Sequence, residues 1–271
     1  VTTASFIPTT AQATAAGYYP PRRTVEVTGV RQLAQGVFRL TFRDAFIAEH
    51  AKPAQFVNLY SHNPLHMSPR PFGVADVHGD EVAVIFAVVG YGTDEFSRMQ
   101  AGDRIDVLGP LGKSYDVGAD AHYVLVGGGL GIPPLLRAAQ VLSAREDATV
   151  TTVFGYRNEH FADEFVAPFA DRALAIDESE GNVITLLERI EHELRTGQRP
   201  VTILSCGPLQ MLKAVSSWAA NRDIACQFSL EERMGCGYGT CVVCVVDTVD
   251  GRQKVCVDGP VFTPEQLGWT E

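Results

Sequence analysis

The sequence has little positive charge and no basic block. Against 32 Asp and Glu it sets only 22 Lys and Arg, for a net charge of −10 over 271 residues. A nucleic-acid partner needs a positive footprint, so that class of function is not expected. There is also no apolar run of the length that spans a bilayer. The opening VTTASFIPTTAQATAAGYYPPRR lacks a basic start followed by an apolar block, so it does not read as a secretory signal. Residues 1–21 are expected to be a disordered tail ending at Pro20-Pro21. The protein is accordingly expected in the cytoplasm. There, clustered cysteines are more often metal ligands or redox groups than structural disulfides. No internal repeat is present.

What is present begins with a chain long enough for two domains and a small appendage, and 46% hydrophobic residues, enough for a real core. From residue 22 to about 117 the sequence alternates like strands: TVEVTGV, VFRLTF, QFVNLY, EVAVIFAVV and DRIDVLGP, with Gly, Pro, Asn and Asp between them. The only helical candidate there lies near Asp94–Gln100. This is the pattern of an antiparallel barrel or sandwich. Over 118–226 strand and helix patterns alternate, from HYVLVGG through TVTTVFGY and ALAID to VTILSCG, which predicts a parallel sheet with crossover helices. Residues 227–271 hold four of the six cysteines in a segment too small to fold on apolar burial alone, so a metal centre is a natural staple. The expected architecture is α+β and multidomain.

In the last segment Cys236, Cys241 and Cys244 are spaced C-x4-C-x2-C, and Cys256 follows after eleven residues. This is the spacing of a plant-type 2Fe-2S centre. Gly235, Gly237 and Gly239 let the backbone fold tightly around a small cluster. Asp250-Gly251 is a hairpin signal that would bring Cys256 back to within one residue of register with Cys244. A zinc site or free thiols are the alternatives; zinc favours two C-x2-C pairs, and only one is present. Cys226, in ACQFSL, reads as a buried small residue.

VLVGGGLGIPPLL reads as strand, glycine turn and helix. Gly127, Gly128, Gly129 and Gly131 would let backbone approach a pyrophosphate at a helix N-terminus opened by Pro133 and Pro134. The G-x-G-x-x-G fingerprint is not met, because position 132 is Ile, and the acidic residue expected after the second strand is absent from its end, which reads FGYRNEH with Arg157 near the strand end. A tight structural turn is the other reading. Cys206-Gly207-Pro208 closes another strand and opens another helix, a place where ligands gather in parallel sheets; it is equally a helix start with a buried thiol. Arg70-Pro71-Phe72-Gly73 precedes a strand, and its arginine could hold a phosphate or be merely solvated.

Taken together, RPFG, GYGTDEF, GGGLGIPP, SCGP and the closing SLEERMGCGYGTCVVC resemble the ferredoxin–NADP reductase superfamily. Within it they resemble the electron-transfer subunits of NAD-linked (class 1B) dihydroorotate dehydrogenases. The likeness runs from about residue 22 to the end. It implies that the barrel binds FAD, with Arg70 on the pyrophosphate and the RPFG backbone along the flavin ring. Gly73 stands where the family usually has Ser or another small polar residue. The resemblance further implies FAD contacts from Ile85, Phe86 and Ala87 and from Gly92-Thr93. Nicotinamide-nucleotide contacts would come from Gly127–Gly131 and Cys206-Gly207-Pro208, and Glu231 would sit between the flavin and cluster regions, with Cys206 and Glu231 the catalytic candidates. Glu231 is alternatively a surface acid. Cys236, Cys241, Cys244 and Cys256 would ligate the 2Fe-2S cluster. It also implies an FMN-containing catalytic partner and an assembly of two plus two subunits. A flavin belongs between a two-electron nicotinamide and a one-electron cluster, which gives the relay its order. The same relay serving another partner, and a zinc-bearing nucleotide-binding module without catalysis, are the rival readings.

Overall fold

The computed structural model describes residues 22–269; the expected tail at 1–21 lies outside the described residues. The first unit contains β1 (Arg23–Ala34), β2 (Val37–Arg43), α1 (Ala45–His50), β3 (Phe56–Tyr60), β4 (Arg70–His78), β5 (Glu81–Ala87), α2 (Tyr91–Ser97) and β6 (Arg104–Leu111). Its six strands close into an antiparallel barrel in the order β1-β2-β5-β4-β3-β6. The period-two alternation places Val57, Leu59, Val74, Val84, Ile105 and Val107 inside the barrel. The alternate residues of β3 (Phe56, Asn58 and Tyr60) face outward toward the rest of the chain.

Two details differ from the sequence expectation. RPFG does not precede a strand but opens β4 itself. The short helix α1 was not anticipated; Asp44 caps it by accepting from Ile47 N at 2.8 Å, and Arg23 pairs with the same carboxylate at 2.6 Å.

The second unit runs β7 (Ala121–Gly128), a 3₁₀ turn (Gly129–Gly131), α3 (Pro133–Leu142), β8 (Ala148–Tyr156), α4 (Asp163–Val166), β9 (Arg172–Asp177), α5 (Val183–Thr196), β10 (Val201–Cys206), α6 (Leu209–Ala220) and β11 (Ala225–Ser229). The strands β11, β10, β7, β8 and β9 are neighbours in that order, and all pair in parallel. Helix α5 shows why the sequence folds this way. Asn182 caps it, Thr185 returns a bond to the Asn182 backbone, and Val183, Leu186, Leu187, Ile190 and Leu194 form one buried stripe. Each large apolar side chain in such a stripe contributes about 1.5–3 kcal/mol of burial.

The closing segment adds the hairpin β12 (Val245–Thr248) and β13 (Gly251–Lys254), then β14 (Val261–Phe262) and α7 (Pro264–Leu267). β14 pairs antiparallel with β11, so this segment extends the parallel sheet, and β11 itself runs across residues 226 and 227. The hairpin register is shifted from the expected one. Thr248 pairs with Gly251 and Val245 with Lys254, which makes Val249-Asp250 the turn. The reason is tertiary: Val249 N–H donates to Gln266 O at 2.9 Å in α7 and is not available to Arg252. Val255 N donates to Cys244 O at 2.8 Å, so Cys256 still lies one residue from register with Cys244.

Helix α3 fastens the two larger units. The Gln140 side-chain amide serves both backbone groups of Val77 on β4, accepting from its N–H at 3.2 Å and donating to its C=O at 2.6 Å. Arg137 donates to Ala51 O at 3.2 Å. At the start of the helix, a β-carbon on Gly73 would lie 2.6 Å from Pro134 Cγ.

Candidate functional site

A cleft of about 260 Å³ opens where β4 and β5, the start of α3, the end of β10 and the segment after β11 converge. Pro71, Phe72, Gly73, Ile85, Phe86, Ala87, Thr93, Cys206 and Glu231 all line it. Phe86 turns its ring into the barrel core, tilted against Phe72 at a ring distance of 5.1 Å, so it offers the cleft mainly backbone. The Thr93 hydroxyl is consumed locally: it accepts from Val89 N and Gly90 N and donates to Gly90 O, capping α2. Arg70 lines an adjoining groove with Ser68 and Met234. Its guanidinium lies directly over Gly92, where a β-carbon would meet Arg70 Nε at 2.7 Å. A side chain at position 92 would push this guanidinium aside.

At the inner end of the cleft Cys206 Sγ lies 3.8 Å from Glu231 Oε1. Burial, and then the nearby Glu231 charge, push the Cys206 thiol well up. Glu231 opens onto the cleft and is exposed there, but protein crowds it closely enough that desolvation raises its carboxyl pKa. Burial thus disfavours the ionised form of both groups. Tyr115 braces this corner by donating to Ser205 O at 2.9 Å.

A second cavity, of about 600 Å³, lies over the C-terminal ends of β7, β8 and β9, the usual ligand edge of a parallel sheet. Gly128, Gly129 and Pro208 line it. The glycines of the turn divide by task. Gly129 has φ +53 with open space beside it and faces the cavity, whereas a β-carbon on Gly131 would lie 2.4 Å from the Cys206 carbonyl and from Gly207 N. Gly127 is likewise closed off by Ile132 and Leu135. Gly207, with φ +151, packs against Gly128 backbone. The turns at 127–131 and 206–208 are therefore in direct contact and present a joint rim. The outer wall comes from Tyr156, Arg157, Asn158, Glu178 and Asn182. Of these only Arg157 was considered from sequence; the strand-end rule would have found the others. Burial and the Asp163 carboxylate, which accepts from the Tyr156 hydroxyl at 2.5 Å, raise the tyrosine pKa and keep it neutral.

The four cysteines of the closing segment lie beyond the cleft. Cys244 and Cys256 are buried, and Cys236 and Cys241 are half-buried. Cys241 N–H donates to Cys236 Sγ at 3.4 Å. Although burial pushes the other way, N–H groups of Cys241, Tyr238 and Thr240 bring the Cys236 thiol down to about 6. Burial and the neighbouring Cys244 raise Cys256. Lys254 Nζ donates to Gly239 O at 2.6 Å and ties the hairpin to the loop. Asn58 Nδ2, from the barrel, donates to Cys236 O at 2.8 Å. Among the described residues, no three His, Cys, Asp or Glu side chains converge as one metal ion requires. The C-x4-C-x2-C spacing with Cys256 is the thiolate pattern of a two-iron cluster. Met234, which the sequence reading passed over, lines the cleft two residues before Cys236 and joins the two sites along the chain.

Residues 231–268 match the family model described as the iron-sulfur cluster binding domain of dihydroorotate dehydrogenase B. The chain is 34% identical over 256 residues to the electron transfer subunit of dihydroorotate dehydrogenase B (NAD(+)) from Geobacillus kaustophilus, with 89% of this chain and 96% of the relative covered. The chain belongs to this family of electron transfer subunits. Another member, from Clostridium perfringens, is 30% identical over 239 residues, covering 85% of this chain and 92% of that one. The family likeness extends to a solved NADH-dependent reduced ferredoxin-NADP oxidoreductase, with a TM-score of 0.79, 28% identity and 90% of each chain covered. The ferredoxin reductase of a carbazole 1,9a-dioxygenase, at 17% identity and TM-score 0.60, shares the fold; 76% of this chain and 67% of that one are covered.

Proposed function

We propose that this chain is the electron-transfer subunit of an NAD-linked dihydroorotate dehydrogenase, conveying electrons from a catalytic partner to NAD in pyrimidine biosynthesis. The observation that carries the reading is continuity: residues 229–232 and Met234 line the cleft, and the same stretch of chain then supplies Cys236, Cys241 and Cys244. In this reading residues 22–117 hold FAD, 118–226 hold the nicotinamide nucleotide and 227–271 hold the 2Fe-2S cluster. When bound, the flavin supplies the exchange between two-electron hydride chemistry and one-electron transfer, and the cluster supplies the one-electron step.

The residues provide position and exclude water. Arg70 over Gly92 would meet the FAD pyrophosphate, the RPFG and Ile85–Ala87 backbones would border the flavin ring, and Gly129 with the Gly207-Pro208 turn would admit the NAD phosphates. Cys206, a buried thiol pushed well up, and Glu231, whose carboxyl is raised by desolvation, would border the nicotinamide. Cys236, Cys241, Cys244 and Cys256 would hold the iron.

Exposed Tyr238, Val242, Val243 and Val257 surround the cysteines, an apolar rim suited to the docking of a partner. That partner would carry FMN and the dihydroorotate site, in a heterotetramer of two plus two. No helix among the described residues is long and apolar enough to cross a membrane, and we place the complex in the cytoplasm.

The test is capture of the subunit with its partner from native lysate, followed by assay of dihydroorotate-dependent NADH formation and of iron and flavin content. Activity that disappears when the partner is removed supports the assignment. A captured complex that contains iron and flavin, passes electrons from NADH to a dye, and ignores dihydroorotate would overturn it in favour of a ferredoxin-linked relay, the reading favoured by the 0.79 TM-score neighbour.

A further inference from the structure

We infer that Asn58 is a positioning residue that ties the first cluster ligand to the flavin-binding strand; this rests on the placement of FAD and the cluster proposed above. Asn58 is fully buried on the outward face of β3. Its ladder partner is Pro71 of the RPFG motif, and its Nδ2 donates to the backbone carbonyl of Cys236 at 2.8 Å. A single side chain therefore links the strand that borders the flavin cleft to the backbone of a cluster ligand. Two residues earlier on the same face, Phe56 lines the cleft and belongs to the same apolar core as Cys244 and Cys256.

Fold stability alone does not account for an amide here. Asn58 Oδ1 is buried with no hydrogen-bond partner. Leucine would occupy a similar volume without an orphaned acceptor, and a buried amide with one half unpaired is a cost that apolar replacement removes. What the amide gains comes from its Nδ2 half, whose hydrogen bond runs to the Cys236 carbonyl and which also bears on the Tyr60 hydroxyl beside it. The loop is shaped to receive it: Gly237 has φ +76, and a β-carbon there would lie 2.5 Å from Asn58 Nδ2 and 2.7 Å from Oδ1. The glycine lets the loop settle directly on the asparagine.

The test uses the flavin- and iron-loaded protein and compares wild type with Asn58→Leu and Gly237→Ala, which disturb the same contact from opposite sides. Four quantities are read: iron and FAD content, the rate of FAD reduction by NADH, the rate of subsequent cluster reduction, and the electron paramagnetic resonance spectrum of the reduced cluster. The expected result for Asn58→Leu is unchanged flavin and iron content, FAD reduction within about twofold of wild type, a displaced or broadened cluster spectrum, and cluster reduction slowed about tenfold or more. Gly237→Ala is expected to displace the spectrum in the same way. An Asn58→Leu protein with the wild-type spectrum and rate would overturn the inference. So would loss of FAD together with iron, because Asn58 would then be a general fold residue. Wild-type protein lacking flavin or iron would instead defeat the functional reading beneath it.

Discussion

Replacing Gly73 by Ser isolates the contact that joins barrel and nucleotide unit beside the flavin cleft. Gly73 is not among the glycines with positive φ, so its strand backbone accepts a side chain without strain. The obstacle is steric alone: a β-carbon would lie 2.6 Å from Pro134 Cγ and 3.3 Å from its Cβ. Filling packed space of this kind costs about 1–3 kcal/mol. Removing a mid-strand glycine returns about 0.5–1 kcal/mol of backbone entropy. The net expectation is a loss of about 1–2 kcal/mol, or a fall in Tm of about 2–8 °C for a chain of this size class. Pro134→Ala removes the Cγ at 2.6 Å and leaves only the Cβ at 3.3 Å, so Gly73→Ser should lose most of its cost in that background. The helix cost of losing Pro134 is common to both arms and cancels in the cycle, leaving a coupling energy of about 1–2 kcal/mol. The assay is denaturant and thermal unfolding of the four proteins, each with saturating FAD. Equal destabilisation by Gly73→Ser in both backgrounds would refute the steric account.

Three further outcomes are expected. Cys241→Ser should lose most of its iron and its electron passage to the partner while keeping NADH reduction of FAD within about twofold; equal loss of both activities would contradict the separation of cleft and cluster. Gln140→Leu leaves the Val77 N–H and C=O without the side-chain bonds at 3.2 and 2.6 Å, and should cost about 1–3 kcal/mol in denaturant unfolding with the cluster spectrum unchanged. Glu231 has a raised pKa in the folded chain, so its contribution to stability is complete below the ordinary carboxylate range and declines as pH rises through the raised value. Glu231→Gln should therefore match wild type in acid and become the more stable protein as pH increases; Tm measured from pH 4 to pH 8 checks the sign.

The fold was legible because its signals are local. Alternation in TVEV and the strand–helix rhythm after Gly118 follow directly from which face is buried, and the cysteine spacing is itself the ligand pattern. The misreadings came where distant groups intervene. The hairpin register was misjudged by looking at Asp250-Gly251 alone, when Gln266 decides it by taking the Val249 N–H. The glycine turn looked like four equivalent contacts, but packing against Cys206 claims Gly131, and Ile132 and Leu135 claim Gly127. Asn58 was invisible inside QFVNLY, because one polar residue in a strand carries no sign of what crosses above it. Cys206 and Glu231, 25 positions apart, could be brought together only by the resemblance; the structure sets them 3.8 Å from one another.

The two residues of β14 have a consequence for damage and quality control. They pair with β11 through Phe228–Phe262 and Ser229–Val261, and so cover the last open edge of the parallel sheet on that side. Trp269 lies against Phe228 at a ring distance of 5.4 Å and shelters the same margin. An uncovered strand edge with apolar side chains is a template for pairing with other chains. The segment that closes this edge is also the one that carries the four cluster cysteines. Oxidative loss of the cluster would then do more than interrupt electron flow: by loosening Val261-Phe262 it would convert a worn-out subunit into a sticky one.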